Sequence, residues 1–481
     1  MLIHLIGICG TGMGSLAGLL VEAGHRVQGS DENVYPPMST MLRSRGITIL
    51  EGYRAENLQP RPDLVVVGNI ASASNPEAGA ALDLDIDHLS MPQALARFFL
   101  STRHSIVVAG THGKTTTTAM IARMLMDAGR DPSFLVGGVL KDLDQSYHLG
   151  QGGEFVIEGD EYETSFFDKG SKFLHYMPRT AIVTSVEYDH AEMFPTLESV
   201  KDAFRSFIAL VPDSAAGGAL IVCADDPIAL ELSGDCRGDV IPYGMGPNAR
   251  LKGEEISTGP DGLTFQVADA GKDLGLFRMN ATGHHNLRNA LSAVAVGLRL
   301  GLSGDEMRAG LAAFAGVRRR QEVRGTAGGV TIIDDFAHHP TAVRETIAAI
   351  KARFPGQRLW AVFEPRTNTT RRDVFQAEYA RAFDNADEVI VAPVDHPERA
   401  PEGRRFDVNR LIDDLRRHGL SARCAAGGVD EIVSSITERA RRGDVVLVMS
   451  NGGFGGLHEK LLAALLARPA AGASGQLETL S

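Results

Sequence analysis

Twice in this 481-residue chain a short apolar run breaks into glycines and then resumes as an apolar-rich helical pattern. The first instance covers residues 2–6, 7–14 and 15–23, and the second covers 105–109, 110–115 and 116–126. A strand that turns through glycines into a helix returns to the sheet by a right-handed crossover, so the pattern predicts parallel sheets covered by helices, an α/β fold. Further strands are expected over 26–29 and 64–67, then over 154–158 and 181–185, with a helix over 283–300. After residue 318 a third set begins, with strands over 330–334, 359–363, 388–392 and 445–449 and an amphipathic helix over 341–352. We therefore expect three modules, 1–100, 101–318 and 319–466, and a disordered tail over the Ala-, Gly- and Ser-rich residues 467–481.

Composition narrows the class. Hydrophobic residues make up 44% and charged residues 22%, the balance of a globular protein. Lys plus Arg is 48 against 60 Asp plus Glu, a net charge of −12, which argues against a nucleic-acid partner but leaves anionic small ligands open. No apolar run approaches the ~20 residues that cross a bilayer, so no membrane is expected. Cys9, Cys223, Cys236 and Cys424 lack the spacing of a zinc site and read as reduced thiols. With no charged leader at Met1-Leu2-Ile3-His4, we expect a cytoplasmic protein.

The second glycine turn carries the strongest chemistry. In Gly110-Thr111-His112-Gly113-Lys114-Thr115-Thr116, backbone N–H groups and a helix N-terminus face an anion. Lys114 reaches the outer phosphates, and the Thr115 hydroxyl is placed to ligate magnesium. Val108 stands where the full phosphate-loop pattern has its first glycine. The first turn has Gly7, Gly10, Gly12 and Gly14, which let a diphosphate approach the backbone, and Asp31 follows the next strand, where it suits a ribose hydroxyl. Cys9 occupies the second glycine position of a dinucleotide fingerprint, so a nucleotide-sugar diphosphate suits this turn better than a nicotinamide; glycines serving only close packing are the alternative.

Glu158-Gly-Asp160-Glu161 and Asp189-His190 each follow an expected strand and so converge on the same crevice. Glu158 and Thr115 offer the oxygen donors magnesium prefers, whereas His190 is either part of that site or a hydrogen-bonded core imidazole. Asn286 and Asn289 present two amides on one helix face, suited to a planar base, although capping also explains Asn286. Arg318-Arg319-Arg320 is either a solvated hinge or a source of positive charge for a phosphoryl group in transit. Asp334-Asp335 with His338-His339, and Glu364-Pro-Arg366-Thr-Asn368 with Arg371-Arg372, follow strands of the third module. Arginine is the residue for paired recognition of carboxylates, so Arg366 and Arg371 point to an acidic second substrate, with surface charge the alternative for Arg371-Arg372.

Taken in order, the phosphate loop, Glu158, Asp189-His190, Gly283-His-His-Asn286-Leu-Arg-Asn289, Arg319-Arg320 and Asp334-Asp335-Phe-Ala-His-His-Pro resemble the Mur ligase family over residues 1–460. The resemblance implies an N-terminal Rossmann-like domain, a central P-loop ATPase domain and a C-terminal Rossmann-like domain. It also implies an ATP- and magnesium-dependent, amide-forming ligase of cell-wall peptidoglycan. Within the family, Val65-Val-Val-Gly-Asn69-Ile70, Phe363-Glu-Pro-Arg-Thr-Asn-Thr369 and Met449-Ser-Asn-Gly-Gly-Phe-Gly-Gly-Leu-His458 are similar to the branch that recycles murein peptide. That branch joins UDP-N-acetylmuramate to L-alanyl-γ-D-glutamyl-meso-diaminopimelate; the other branch on the same nucleotide adds L-alanine. Carried over, the resemblance puts the UDP-sugar on Gly10, Thr11, Gly12 and Met13, with Ser30, Asp31 and Asn69. ATP falls to Gly110–Thr116, Asn286, Asn289, Arg320 and Asp335, and magnesium to Thr115, Glu158 and His190. The peptide falls to His339, Arg366 and Asn368, and the reaction to Lys114, Glu158, His190, Arg320 and Asp335. Some Mur ligases carry a carbamylated lysine; Lys201 does not match its spacing, so none is expected here.

Overall fold

The computed structural model describes residues 1–35 and 38–468, so the expected tail lies outside the described residues from 469 onward. The chain forms two compact units. One comprises residues 1–257, 263–280 and 285–318, and the other 258–262, 281–284 and the chain from Arg319 onward.

The first unit contains two sheets. Strands β1 (Leu2–Ile6), β2 (Arg26–Asp31), β3 (Thr48–Glu51), β4 (Leu64–Val67) and β5 (His88–Ser90) pair in the order β3-β2-β1-β4-β5. Every pairing is parallel. The order reverses at β1, so the turn after β1 opens on the crevice where such sheets hold ligands. The second sheet is built from β6 (His104–Ala109), β7 (Ser133–Leu140), β8 (Gln145–His148), β9 (Glu154–Gly159), β10 (Thr180–Val183), β11 (Ala219–Cys223), β12 (Asp239–Gly244), β13 (Leu251–Gly259), β14 (Gly262–Asp269) and β15 (Lys272–Met279). Its order is β15-β14-β13-β12-β11-β10-β6-β9-β7-β8, which puts β6 between β10 and β9 and again makes a switch point at a glycine turn. Strands β1, β4 and β6 are near-continuous apolar runs because helices cover both faces.

One hydrophobic core joins these two sheets. It runs from Leu5, Leu16 and Leu20 to Val107, Phe155 and Phe204 without interruption. The helix α1 (Thr11–Glu22) is buried at every residue from Met13 to Leu20, so it is covered on more than the one stripe a surface helix presents. α1 starts four residues earlier than the glycine pattern suggests. Gly12 and Gly14, which read as part of the turn in the sequence, sit inside it together with Gly18. Close approach explains them: a Cβ on Gly14 would stand 2.2 Å from Met38 Sδ, and one on Gly18 would stand 2.0 Å from the Tyr147 ring. That packing outweighs the roughly 1 kcal/mol each glycine costs a helix interior. The helix α2 (Lys114–Asp127) likewise begins at Lys114 itself, with Gly113 at its N-cap in the left-handed region at φ 80°. The helix α3 (His284–Arg299) carries the Asn286 and Asn289 pair.

The second unit holds β16 (Glu322–Ala327), β17 (Val330–Asp335), β18 (Leu359–Phe363), β19 (Glu388–Val391), β20 (Ser421–Cys424) and β21 (Val445–Met449), in the order β16-β17-β21-β18-β19-β20. Only β16, at one edge, runs antiparallel to its neighbour. Alternation along β18 divides the core: Leu359, Ala361 and Phe363 face one layer, Trp360 and Val362 the other. Helix α4 (Pro340–Arg353) covers the first face.

One buried carboxylate braces this sheet. Asp444 Oδ2 accepts from Arg358 Nη2 at 2.6 Å, Trp360 Nε1 at 2.9 Å and the Arg441 N–H at 2.9 Å. Burial pushes Asp444 upward, but Arg358, the Arg441 N–H and the Trp360 indole outweigh it and hold the carboxyl below its usual range. A depressed carboxylate contributes stability that is fully present above the unfolded value of about 3.9 and is lost as pH falls through the folded one. Asp444→Asn is therefore expected to cost about 2 kcal/mol at pH 7, read as a lower thermal midpoint. The gap to the parent should close as pH falls below about 4; a gap that persists there would contradict this account.

Candidate active site

Gly110 ends β6 at φ 138°, and Gly113 follows at φ 80°. Both conformations and both positions require glycine: a Cβ on Gly110 would stand 2.0 Å from Thr184 Oγ1, and one on Gly113 would stand 2.5 Å from Asn289 Oδ1. The loop is held from β10's side, where His112 N–H donates to Ser185 Oγ at 3.0 Å and Glu187 N–H donates to Thr111 Oγ1 at 2.8 Å. Thr116 continues into α2. Asn289, expected for a base, packs beneath Gly113 and donates to Asn286 Oδ1 at 3.2 Å, with both amides buried.

Lys114 Nζ folds back onto the loop. It donates to the Gly110 carbonyl at 2.6 Å and to Glu161 Oε2 at 3.0 Å. Burial works against the ammonium, but Glu161 and Asp160 outweigh it and raise the Lys114 pKa. Glu161 is 3% exposed; burial pushes it upward, and Lys114 and His190 bring it below its usual value. His190 stands at φ 52° and places Nε2 3.4 Å from Glu161 Oε1 and Nδ1 3.4 Å from Glu192 Oε1. Burial opposes its charge, yet Glu161, Glu192 and Asp189 push it up to about 10. Here His190 is an ion-pair partner of Glu161. The sequence reading gave a role to Glu158 and left Glu161 only as part of an acidic run. Outside a helix, spacing does not say which of the three carboxylates turns inward.

Glu158 sits on β9, beside β6. Its Oε2 accepts from Thr115 Oγ1 at 3.0 Å, and its Oε1 accepts from the Gly137 N–H. Burial and the nearby Asp160 push its pKa up to about 7. A half-buried carboxylate so destabilised as an anion, 3.0 Å from a hydroxyl, is a hard-oxygen donor pair that gains from a small divalent cation, and it fits magnesium rather than a soft metal. Lys201 lies elsewhere, paired with Glu231 at 3.0 Å.

At the first turn, Gly10 caps α1, and Thr11, Gly12 and Met13 form its first turn, with Met13 buried. Ser30 and Asp31 hold the loop: the Gly7 and Ile8 N–H groups donate to the Ser30 carbonyl at 2.9 and 3.1 Å, and the Cys9 N–H donates to Asp31 Oδ2 at 2.9 Å. Asp31 is 4% exposed and Ser30 is fully buried, its hydroxyl donating to Glu77. A cavity of about 470 Å³ opens alongside, and Asn69, Ser72, Tyr162, Lys169 and His190 line it. It brings Asn69, from the first sheet's module, together with His190, from the phosphate-loop module.

In the second unit, Asp335 accepts from the Gln321 and Ala337 N–H groups, each at 2.8 Å, so its carboxylate fixes the turn after β17. The Arg320 guanidinium lies 4.9 Å from the Phe336 ring centroid. His339 caps α4, accepting from the Thr341 N–H at 3.3 Å, and stands edge-on to Phe375. Arg366 is 39% exposed, 3.7 Å from Asp395 and 4.0 Å from Glu364, and it leans on Gly452, where a Cβ would meet its guanidinium at 2.5 Å. Arg371, by contrast, is buried and anchors the loop through Asp395 and Asn368.

Comparison with known proteins accounts for nearly all of this chain. Residues 2–103 match the Mur ligase family catalytic domain, 108–297 the Mur ligase middle domain, and 319–452 the Mur ligase glutamate ligase domain. The chain is 39% identical over 465 residues, 96% of its own length and 98% of the relative's, to the UDP-N-acetylmuramate–L-alanyl-γ-D-glutamyl-meso-2,6-diaminoheptandioate ligase of Escherichia coli K12. It is 35% identical over 453 residues, 94% of this chain and 92% of the relative, to the UDP-N-acetylmuramate–L-alanine ligase of Salinibacter ruber. A crystal structure of a murein peptide ligase from Psychrobacter arcticus is 37% identical, with a TM-score of 0.71 across 98% of this chain and 100% of that one. The chain belongs to the Mur ligase family and has its three α/β domains.

Proposed function

We propose that this protein is an ATP-dependent ligase joining the lactyl carboxylate of UDP-N-acetylmuramate to the amine of L-alanyl-γ-D-glutamyl-meso-diaminopimelate. The observation that carries the reading is the cavity lined by both Asn69, which we assign to the sugar nucleotide, and His190, the ion-pair partner of Glu161. The substrates named for the Escherichia coli relative support the tripeptide as acceptor. We assign the three modules to residues 1–100, 101–318 and 319–466 on the same grounds.

In this reading a carboxylate oxygen attacks the γ-phosphorus, ADP leaves, and the peptide amine then attacks the acyl carbon and displaces phosphate. Lys114 and the N–H groups at the start of α2 neutralise the phosphate charge and align it, the main catalytic contribution available to a protein in phosphoryl transfer. Thr115, Glu158 and His190 are assigned to magnesium, which would supply further charge neutralisation on the phosphate oxygens. Arg320 and Asp335 are assigned to ATP, Asn286 and Asn289 to its base. Gly10, Thr11, Gly12 and Met13, with Ser30 and Asp31 behind them, are assigned to the UDP diphosphate and ribose. Arg366 has a partly exposed guanidinium for the peptide's carboxylates; Asn368, two residues on, and His339, in the turn before α4, are assigned to the peptide with it.

With UDP-N-acetylmuramate, ATP and magnesium present, ADP release should require the tripeptide; release with L-alanine alone would reassign the acceptor to the amino acid. Lys114→Ala should lower kcat by a factor of about 10² to 10³. Arg366→Ala should raise KM for the tripeptide roughly tenfold or more, as loss of a charged hydrogen bond does, while KM for ATP stays put. Equal rises in both constants would remove Arg366 from the peptide site.

A further inference from the structure

Strands β7 and β8 form a hairpin that touches three separate segments of the first unit. On β7, the Gly137 N–H donates to Glu158. The next residue, Gly138, packs so closely that a Cβ would stand 3.2 Å from Thr115 Cγ2 and 2.6 Å from Val317 Cγ1. At the end of β7 the backbone is tied to residues 316–318: Lys141 N–H donates to the Gly316 carbonyl at 3.0 Å, and Arg318 N–H donates to the Val139 carbonyl at 2.9 Å. From β8, Ser146 Oγ meets Ser15 Oγ at 2.9 Å, and just beyond it the Leu149 N–H donates to Glu22 Oε2 at 3.2 Å. Between them Tyr147 lies across Gly18, where a Cβ would stand 2.0 Å from its Cζ and hydroxyl oxygen. Ser15, Gly18 and Glu22 follow i, i+3, i+7, one face of α1.

Tyr147 is 3% exposed and locked in place: the Arg45 guanidinium lies 5.4 Å from the ring centroid, and the hydroxyl points to Met41 Sδ at 3.8 Å. The ring is therefore a fixed spacer between α1 and the strand pair that also holds Glu158. α1 rises 1.5 Å per residue, so its N-terminus lies roughly 10 Å along the axis from Gly18. A tilt of about 6° at that seat would carry the N-terminus about 1 Å.

We propose that Tyr147 is a positioning residue for acid activation. Seated on Gly18, it sets the placement of the α1 N-terminus relative to the Thr115–Glu158 pair, and so the distance from sugar carboxylate to γ-phosphate. This rests on the reading that the α1 turn holds the sugar nucleotide. Reacting atoms must stand about 3–3.5 Å apart, and a misplacement of 1 Å costs about 10²-fold. Neither nucleotide needs Tyr147 for its own contacts, so the effect belongs to the ternary complex alone.

The test uses the full chain carrying Tyr147→Ala, Tyr147→Phe, Gly18→Ala or both alanine changes. Dissociation constants for UDP-N-acetylmuramate and for ATP are measured separately by calorimetry, and kcat for ADP release is measured per nucleotide-binding site. Tyr147→Ala and Gly18→Ala should each leave both dissociation constants within about twofold and lower kcat about 10- to 100-fold. Tyr147→Phe, which keeps the ring, should retain parental kcat. The double variant should be no worse than Tyr147→Ala, since the added methyl then meets no ring. Parental kcat in Gly18→Ala, a loss in Tyr147→Phe as large as in Tyr147→Ala, or a loss that tracks weaker binding of one nucleotide would each overturn the proposal. Should Tyr147→Ala not fold, Gly18→Ala and Tyr147→Phe decide it. A parent that binds no UDP-N-acetylmuramate would refute the underlying reading of the α1 turn instead, and the proposal with it.

Discussion

The ion pair of partly buried Lys114 with buried Glu161 organises the phosphate loop of this protein. Burying two ions costs several kcal/mol each, and that cost is recovered only when geometry and hydrogen bonding are good. Here the ammonium has the Gly110 carbonyl and Glu161, and Glu161 has both Lys114 and His190. The result is a lysine that stays charged although largely shielded from water, at the mouth of a helix whose N-terminal N–H groups are themselves unsatisfied within the helix. An anion entering the loop meets the Lys114 ammonium and these N–H groups in a site of low dielectric, where each interaction counts for more than in water.

Glu158 balances that arrangement from the opposite direction. Its carboxylate is held where burial and Asp160 make the charge unfavourable, and the Gly137 N–H, Thr115 and the Lys114 ammonium offset this only in part. Lys114, at the start of α2, and Glu158, on β9, thus form an asymmetric pair of poles, one held in its charged form, the other disfavoured as an anion. The same hairpin that supplies Gly137 also seats α1, and a single core runs through both sheets. The module built on the first sheet and the one built on β6 therefore share one packed body.

Much of this was legible in the sequence where backbone chemistry dictates the outcome. Strands such as Leu64–Val67, Leu359–Phe363 and Val445–Met449 are short, wholly apolar and bounded by polar or glycine residues, so their limits follow from composition. The phosphate loop was legible because Gly110 and Gly113 serve conformations and clearances other residues cannot meet. The start of α1 was not, because a glycine required for close packing looks the same in sequence as one required for a turn. Gly14 and Gly18 need Met38 and Tyr147 to be explained, and these are distant in the chain. The inward turn of Glu161 was hidden for a related reason: three acids in four residues carry no periodic signal, and only the position of Lys114 selects among them.

The central claim is that the sugar's carboxylate becomes an acyl phosphate before the amide forms. The direct measurement uses UDP-N-acetylmuramate labelled with ¹⁸O in the lactyl carboxylate, together with ATP, magnesium and the tripeptide, and follows the label by mass spectrometry. The account predicts one labelled oxygen in the inorganic phosphate for each amide formed. Unlabelled phosphate accompanying labelled product would contradict it.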